Sequence, residues 1–287
     1  FYNSMRKAGV KVTPFMKLRF PLLRSRVNYR NHRKVVVIDG SIGYMGGMNV
    51  GDEYAGGEKW RDTHMRIRGY GVYGLQFSFL SDWSSSKQSL PTDFRYYFPT
   101  QKNYTNNLMQ IVSDGPESQW PKLMKATTRL IITAQQYLYI QTPYFLPTES
   151  LAEALKSAAL AGVDVRLMVS KRSDSLYVDP AAKSYYQELL DAGLRIFEHP
   201  SKFIHAKTIV SDDYLSVIGS ANMDFRSFEL NFEINSYMYD KHLAIHNKEI
   251  FMKDLAACEE VTSEEWKKRP RWKKTVESIM RLFAPLF

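Results

Sequence analysis

The sequence predicts an α/β fold of two homologous halves, each a mixed sheet covered by helices, with the first half incomplete. Three observations carry this. A spaced group, H-x-K-x4-D, occurs twice: as His32, Lys34 and Asp39 in "NHRKVVVIDG", and as His205, Lys207 and Asp212 in "FIHAKTIVSDD". Each copy is followed by a small-residue turn, "GGMN" or "GSAN", so that Asn49 and Asn222 each stand seventeen positions beyond their histidine. Strand-like β-branched runs alternate with helical patterns along the chain. The copies lie 173 residues apart, as in an internal repeat.

The elements follow in order. "MRKAGVKV" at 5–12 reads as a helix end, a stop at Gly9 and a strand; "LLDAGLRI" at 189–196, with Gly193, is its counterpart. Each motif occupies a short strand. Asp39-Gly40 is a strong hairpin signal at the end of the first, and Asp212-Asp213 a weaker one at the end of the second. Residues 84–107, rich in Ser, Pro, Thr and Asn and without periodicity, read as a linker. A strand is expected around Tyr137–Gln141. "ESLAEALKSAALAGVDVRLMV" then gives a helix and a strand, with Ser150 and Glu153 as capping box and Leu151, Ala154, Leu155 and Ala158 on one face. Asp179 is expected to cap a further helix, with Pro180 in its first turn. The first half has no counterpart to residues 108–188, so a further segment is expected upstream and the chain reads as the C-terminal portion of a longer protein. The expected division is 1–83 for the end of the first half, 84–107 for the linker, 108–258 for the second half and 259–287 for a basic amphipathic segment.

That last segment interleaves Trp266 and Trp272 with Lys267, Lys268, Arg269, Arg271, Lys273 and Lys274. Val276, Ile279, Met280 and Phe283 follow at helical spacing. It reads either as an interfacial helix on anionic headgroups or as a helix docked on the protein's own core beneath a solvated basic patch.

Hydrophobic content of 44% excludes a disordered chain. A net charge of +9 suggests an anionic partner: nucleic acid, phosphate esters or an anionic membrane surface. Cys258 is the single cysteine, so no intrachain disulfide forms, which fits a reducing compartment. No uninterrupted apolar run approaches the ~18 residues of a membrane-spanning helix.

In a strand, residues i and i+2 share a face, so His32 points with Lys34 and His205 with Lys207. Lysine ammonium, asparagine amide, the Ser220 hydroxyl and backbone N–H groups make a cradle for phosphate. Two histidines at one phosphate can divide the labour: one attacks phosphorus, the other protonates the leaving alkoxide and then activates the incoming hydroxyl. This chemistry asks for no metal and no cofactor, and the sequence has no compact ligand cluster. A lone histidine in a strand is ordinarily a packing residue; two complete copies at one spacing argue for a site. Asp39 and Asp212 read as catalytic acids or as orienting and turn-forming groups of that site. His64, His199, His242 and His246 lack the motif context and are expected to be structural or exposed.

At these residues the sequence resembles the phospholipase D superfamily, and within it the bacterial cardiolipin synthases. The stretches are "NHRKVVVIDGSIGYMGGMNVGDEY", "WRDTHMRI" and "GSANMDFRSFELNFE", and the resemblance runs from about Gly9 onward. It implies two phospholipase D-like α-β-α sandwich halves related by a pseudo-twofold axis. It implies a catalytic pair His32 and His205, with His32 the nucleophile and Lys34, Lys207, Asn49 and Asn222 on the phosphate. Ser220 and Glu233 fall where the family places a hydroxyl and a supporting carboxylate. The first half departs: Gly47 replaces the serine and Trp60 the carboxylate, with Asp62, two residues on, as its stand-in. The implied reaction moves a phosphatidyl group from one phosphatidylglycerol to another and releases glycerol. The implied partners are phosphatidylglycerol and an anionic membrane surface, without nucleic acid. The implied location is the bacterial cell membrane, with the catalytic part on the cytoplasmic side. Hydrolysis of phospholipids or nucleic acid on the same scaffold is the alternative. A binding module without catalysis is a third reading, which two complete motifs disfavour. The oligomeric state is left open.

Overall fold

Two main sheets of unequal size, with two short two-stranded pairs beside them among the described residues, fulfil the α/β expectation. A computed structural model describes residues 1–16, 28–55, 60–90, 92–102, 106–175, 177–200 and 203–284. Among the described residues the larger sheet has nine strands. Its path runs Arg30–Asn31, Asn231–Tyr239, Leu215–Gly219, Thr208–Ser211, Tyr137–Gln141, Asp164–Ser170, Arg195–His199 and Glu259–Val261, with Leu108–Asp114 also pairing Asn231–Tyr239. Tyr137–Gln141 is buried at every position, as expected of a central strand covered on both faces. Helices Lys122–Thr133 and Glu149–Leu160 cover one face through Leu123, Leu130, Leu151 and Leu155. Helix Lys241–Leu255 covers the other, packing Ala244 and Phe251 on Tyr137, Tyr139 and Met168.

The first half contributes a three-stranded antiparallel sheet, Val35–Ile38, Ile42–Gly46 and His64–Arg68, under helix Gly71–Ser85. Met45, Ile67, Val72 and Leu75 form its core together with Ile234 of the second half. Gly74 lets the helix approach strand Leu108–Asp114, since a Cβ there would lie 2.7 Å from Ile111. Strand Thr208–Ser211 has Tyr137–Gln141 on its outer side, whereas Val35–Ile38 has no strand there among the described residues. Val36 and Ile38 accordingly stay 52% and 44% exposed.

Both hairpins turn through the left-handed region, at Asp39 and Gly40 (φ 50° and 61°) and at Asp212 and Asp213 (φ 55° and 50°). This matches the twist of the flanking strands. Gly9 and Gly193 end their helices at φ 86° and 93°. Two helix starts differ from expectation. Thr148, not Ser150, holds the N-cap position of Glu149–Leu160; Ser150 meets the Thr148 hydroxyl at 3.1 Å, and Glu153 pairs with Lys156. Asp179 lies inside Val178–Lys183, because Tyr177 already has helical dihedrals; its carboxylate takes the Ser173 N–H at 3.2 Å and Lys183 at 3.0 Å.

After Ser85 the described residues of 84–107 form no helix or strand; Pro91 and residues 103–105 of the expected linker lie outside the described residues. The basic amphipathic segment expected from 259 begins with a strand of the larger sheet. Glu259–Val261 pairs antiparallel with Arg195–His199, and buried Trp266 packs on Tyr186 at 4.9 Å between ring centroids. Helix Arg271–Leu282 then docks through buried Glu277 and half-buried Met280. Its outer stripe of Trp272, Val276 and Ile279, continued by Phe283, remains exposed, so the two readings of this helix each describe one of its sides. Residues 285–287 lie outside the described residues.

Candidate active site

The two motifs meet through an exchange of short strands. Arg30–Asn31 pairs in parallel with Asn231–Phe232 of the second half, and Phe203–Ile204 pairs in parallel with Trp60–Arg61 of the first. Each short strand runs directly into its motif histidine. His32 N–H donates to Phe232 O at 3.0 Å, and His205 N–H donates to Arg61 O at 2.8 Å. The next residue on each receiving strand is a carboxylate. His32 Nδ1 therefore lies 2.8 Å from Glu233 Oε1, and His205 Nδ1 lies 2.7 Å from Asp62 Oδ2. A carboxylate acceptor holds the proton on Nδ1 and leaves the Nε2 lone pair for phosphorus or a proton.

The halves keep this backbone geometry and exchange side chains around it. Ser220 donates to Glu233 Oε2 at 2.5 Å and accepts the Ile234 N–H at 3.0 Å. At Gly47 a Cβ would lie 2.1 Å from Asp62 Oδ1, so the shorter aspartate fills the space that a serine needs. The backbone bond persists: Gly47 N–H donates to Thr63 O at 3.0 Å, and Ser220 N–H donates to Ile234 O at 2.9 Å. Asp62 thus stands against His205 as Glu233 stands against His32, with two extra residues absorbed ahead of strand Trp60–Arg61.

Each lysine bonds the carbonyl of its own histidine, Lys34 Nζ to His32 O at 2.7 Å and Lys207 Nζ to His205 O at 2.5 Å. Burial pulls Lys34 down to about 8 and Lys207 down to about 7, against the opposing charges of Asp62 and Glu233. Both carboxylates act on both lysines, so the two motifs form one electrostatic cluster. Burial likewise pulls His205 down to about 4; the bond to Asp62 opposes this, and the charges of Lys207 and Lys34 add to it. Its ring is neutral at neutral pH. Burial pushes the Glu233 carboxyl up, but the charge and hydrogen bond of His32, with Lys34, outweigh that and hold it below the usual range.

Buried Asn222 donates Nδ2 to Asp224 at 3.0 Å, and its Oδ1 has no partner among the described residues. Asn49 is exposed; its backbone N–H meets the Tyr54 hydroxyl. The expectation that Asp39 and Asp212 share the site is corrected by their positions. Asp212 accepts the N–H groups of Gln135, Gln136 and Tyr137 at 2.9, 2.9 and 3.0 Å, clamping the start of a neighbouring strand. It lies in the turn beyond strand Thr208–Ser211, at the opposite end of that strand from His205, and seven residues at ~3.3 Å each allow a separation of up to roughly 23 Å. Asp39 is exposed in the equivalent turn. His64 is half-buried, His199 is buried, and His242 and His246 are exposed.

Several residues around the histidines escaped the sequence reading. The Tyr54 hydroxyl lies 2.7 Å from His205 Nδ1, and Trp60 packs on the same ring at 4.9 Å between centroids. Asn231 Nδ2 donates to Glu233 Oε1 at 3.1 Å. Asn231 could have been found, since it precedes Glu233 by two on one strand and shares its face. Tyr54 sits on the short helix Asp52–Ala55 and gives no spacing signal.

Residues 127–255, which include the second motif, match the family described as "Cardiolipin synthase, PLD-like domain". Over these residues the chain carries a phospholipase D-like domain. It is 43% identical over 291 residues to a cardiolipin synthase of Listeria monocytogenes, covering all of this chain and 60% of that protein. It is 42% identical to one of Staphylococcus aureus, covering 99% of this chain and 58% of that protein. The chain thus spans about three fifths of the length of these curated relatives. Among solved structures, the phosphatidylserine synthase of Haemophilus influenzae superimposes with a TM-score of 0.65 at 15% identity, over 91% of this chain and 70% of that one. That likeness shows the phospholipase D-like fold.

Proposed function

We propose that the whole protein is a phosphatidyltransferase that joins two phosphatidylglycerol molecules into cardiolipin and releases glycerol. One observation carries the reading above all: each motif histidine is held by a carboxylate from the opposite half, so two carboxylate-held rings can share one phosphate. His32, with 28% of its side chain exposed, attacks phosphorus through Nε2, and the P–O bond to the glycerol headgroup breaks. His205 protonates that departing oxygen. Its ring is neutral in the empty site; the phosphodiester anion adds negative charge beside Lys34 and Lys207, opposes their repulsion and favours the imidazolium with Asp62. His205 then takes the proton of the incoming hydroxyl, which displaces His32 from phosphorus. Lys34, Lys207, Asn49 and Asn222 stabilise the charge on the equatorial oxygens, and Ser220, Glu233 and Asp62 hold the apparatus in register.

The acceptor is the hydroxyl that reaches the intermediate in line, since positioning supplies on the order of 7–11 kcal/mol. At an anionic membrane surface that hydroxyl belongs to a second phosphatidylglycerol. Support for the surface comes from the net charge of +9 and from the exposed Trp272, Val276 and Ile279 stripe on a basic helix. No helix among the described residues is long and apolar enough to cross a membrane. We place the protein at the bacterial cell membrane with its catalytic part on the cytoplasmic side. The test is to incubate the complete enzyme with labelled phosphatidylglycerol in vesicles and separate the products. Cardiolipin with stoichiometric glycerol is expected. Phosphatidic acid as the main product would make water the acceptor and the protein a phospholipase.

A further inference from the structure

A cavity of about 490 Å³ lies under the C-terminal helix, and no motif residue lines it. Its floor holds two buried polar groups, Glu198 and Trp266, each 8% exposed. Glu198 Oε1 and Trp266 Nε1 have no hydrogen-bond partner among the described residues. One is an acceptor and the other a donor. Burial pushes the Glu198 carboxyl up, and the Tyr186 hydroxyl hydrogen-bonds it. Leaving such groups unmatched is costly, and here an acceptor and a donor lacking partners belong to two side chains that line the same cavity.

The rim is cationic. Lys183 and Arg269 line the cavity but are committed to Asp179 at 3.0 Å and to Glu277 at 2.6 Å. Arg172 and Lys273 also line it, are exposed, and form no ion pair among the described residues. Trp272 and Val276 form an apolar side of the cavity and continue into the exposed stripe of helix Arg271–Leu282.

We propose that this cavity binds a glycerophosphate group, a phosphate ester carrying free hydroxyls, presented by a phospholipid headgroup. Phosphate oxygens accept from Arg172 and Lys273. Headgroup hydroxyls supply the donor and acceptor that Glu198 Oε1 and Trp266 Nε1 lack, with a small shift of the two side chains to expose those atoms to the cavity. The attached acyl chains leave along Trp272 and Val276. The site is separate from the histidines and does not rest on the catalytic reading; it gives the protein a second hold on an anionic lipid.

The test uses the complete chain with His32→Ala, so that no turnover occurs, and with 15N-labelled indoles. The chain has five tryptophans, and the Trp266 Nε1–H signal is identified by its loss in Trp266→Phe. Glycerol 3-phosphate should shift that signal saturably, and inorganic phosphate, which cannot match Glu198 and Trp266 together, should bind roughly fivefold more weakly. Arg172→Ala with Lys273→Ala, both exposed and harmless to folding, should weaken glycerol 3-phosphate roughly thirtyfold, the effect of two cations beside an anion. Nanodiscs of phosphatidylcholine with and without phosphatidylglycerol distinguish the sources. A shift only with phosphatidylglycerol, at lower total headgroup than the soluble ester needs, assigns the site to lipid. Equal potency of the soluble ester keeps the ligand chemistry and assigns a free phosphate ester. A Trp266 signal that none of these probes moves, or an Arg172→Ala/Lys273→Ala chain that binds unchanged, overturns the proposal.

Discussion

His205 Nδ1 and Asp62 Oδ2 lie 2.7 Å apart although 143 positions separate them in the chain, and His32 with Glu233 repeats the arrangement across 201 positions. Each half supplies a histidine to the site and a carboxylate to the other half's histidine. The candidate site therefore lies where the halves meet. Glu233→Gln and Asp62→Asn should each keep a folded protein and lower kcat by about 10²-fold or more, because the ring loses both its tautomer and the group that stabilises its charged form. Turnover near wild type in either variant would disconnect the carboxylates from catalysis.

The Gly47 and Ser220 difference predicts a rescue. Gly47→Ser alone forces a Cβ to 2.1 Å from Asp62 Oδ1 and should displace the carboxylate from His205. Adding Asp62→Glu recreates the serine–glutamate pairing of the second half, so the double variant should be more active than Gly47→Ser. A double-mutant cycle on kcat measures this coupling; simple additivity would refute it.

The lysines set an alkaline limit. Lys207 and Lys34 sit at about 7 and about 8 in the empty site, so kcat/KM should fall as pH rises past these values and the phosphate cradle loses charge. The stability effect has the opposite sense. Lys207 binds its proton less tightly folded than unfolded, so between about 7 and the ordinary 10.5 the unfolded chain holds more protons and stability rises with pH. Wild type should therefore gain stability relative to Lys207→Met between pH 7 and pH 10. Urea midpoints of the two proteins at several pH values check this, and a constant gap would show that burial does not shift the lysine.

Chelation should leave activity intact, because lysine and asparagine groups are assigned the stabilisation that a metal would otherwise give. Loss of turnover in EDTA, restored by a divalent ion, would contradict that assignment.

Part of the candidate site was legible in residue spacing and part in the family resemblance. The i, i+2 spacing predicts that each lysine shares a strand face with its histidine. The structure instead leaves both in an irregular stretch between two strands, where each lysine bonds its histidine's carbonyl. The equal offset to Asn49 and Asn222 marked the repeat. Glu233, and Asp62 as its displaced counterpart near Trp60, came from the resemblance to the phospholipase D superfamily rather than from spacing. The crossed pairing was not visible, because it depends on strands Arg30–Asn31 and Phe203–Ile204 joining sheets of the opposite half. No local pattern encodes such a long-range register. Asp39 and Asp212 misled for a physical reason: a residue at the end of a motif strand is in the motif by sequence and remote from the histidine by length. Tyr54 reaches His205 from a four-residue helix whose position only tertiary packing determines.

The most direct measurement is to quench the complete enzyme with phosphorus-labelled phosphatidylglycerol during turnover and map the covalent label. An acid-labile, base-stable phosphoramidate on His32 is expected, with no label in His32→Asn. Steady turnover without any histidine-bound label, or undiminished turnover in His32→Asn, would contradict the two-histidine mechanism.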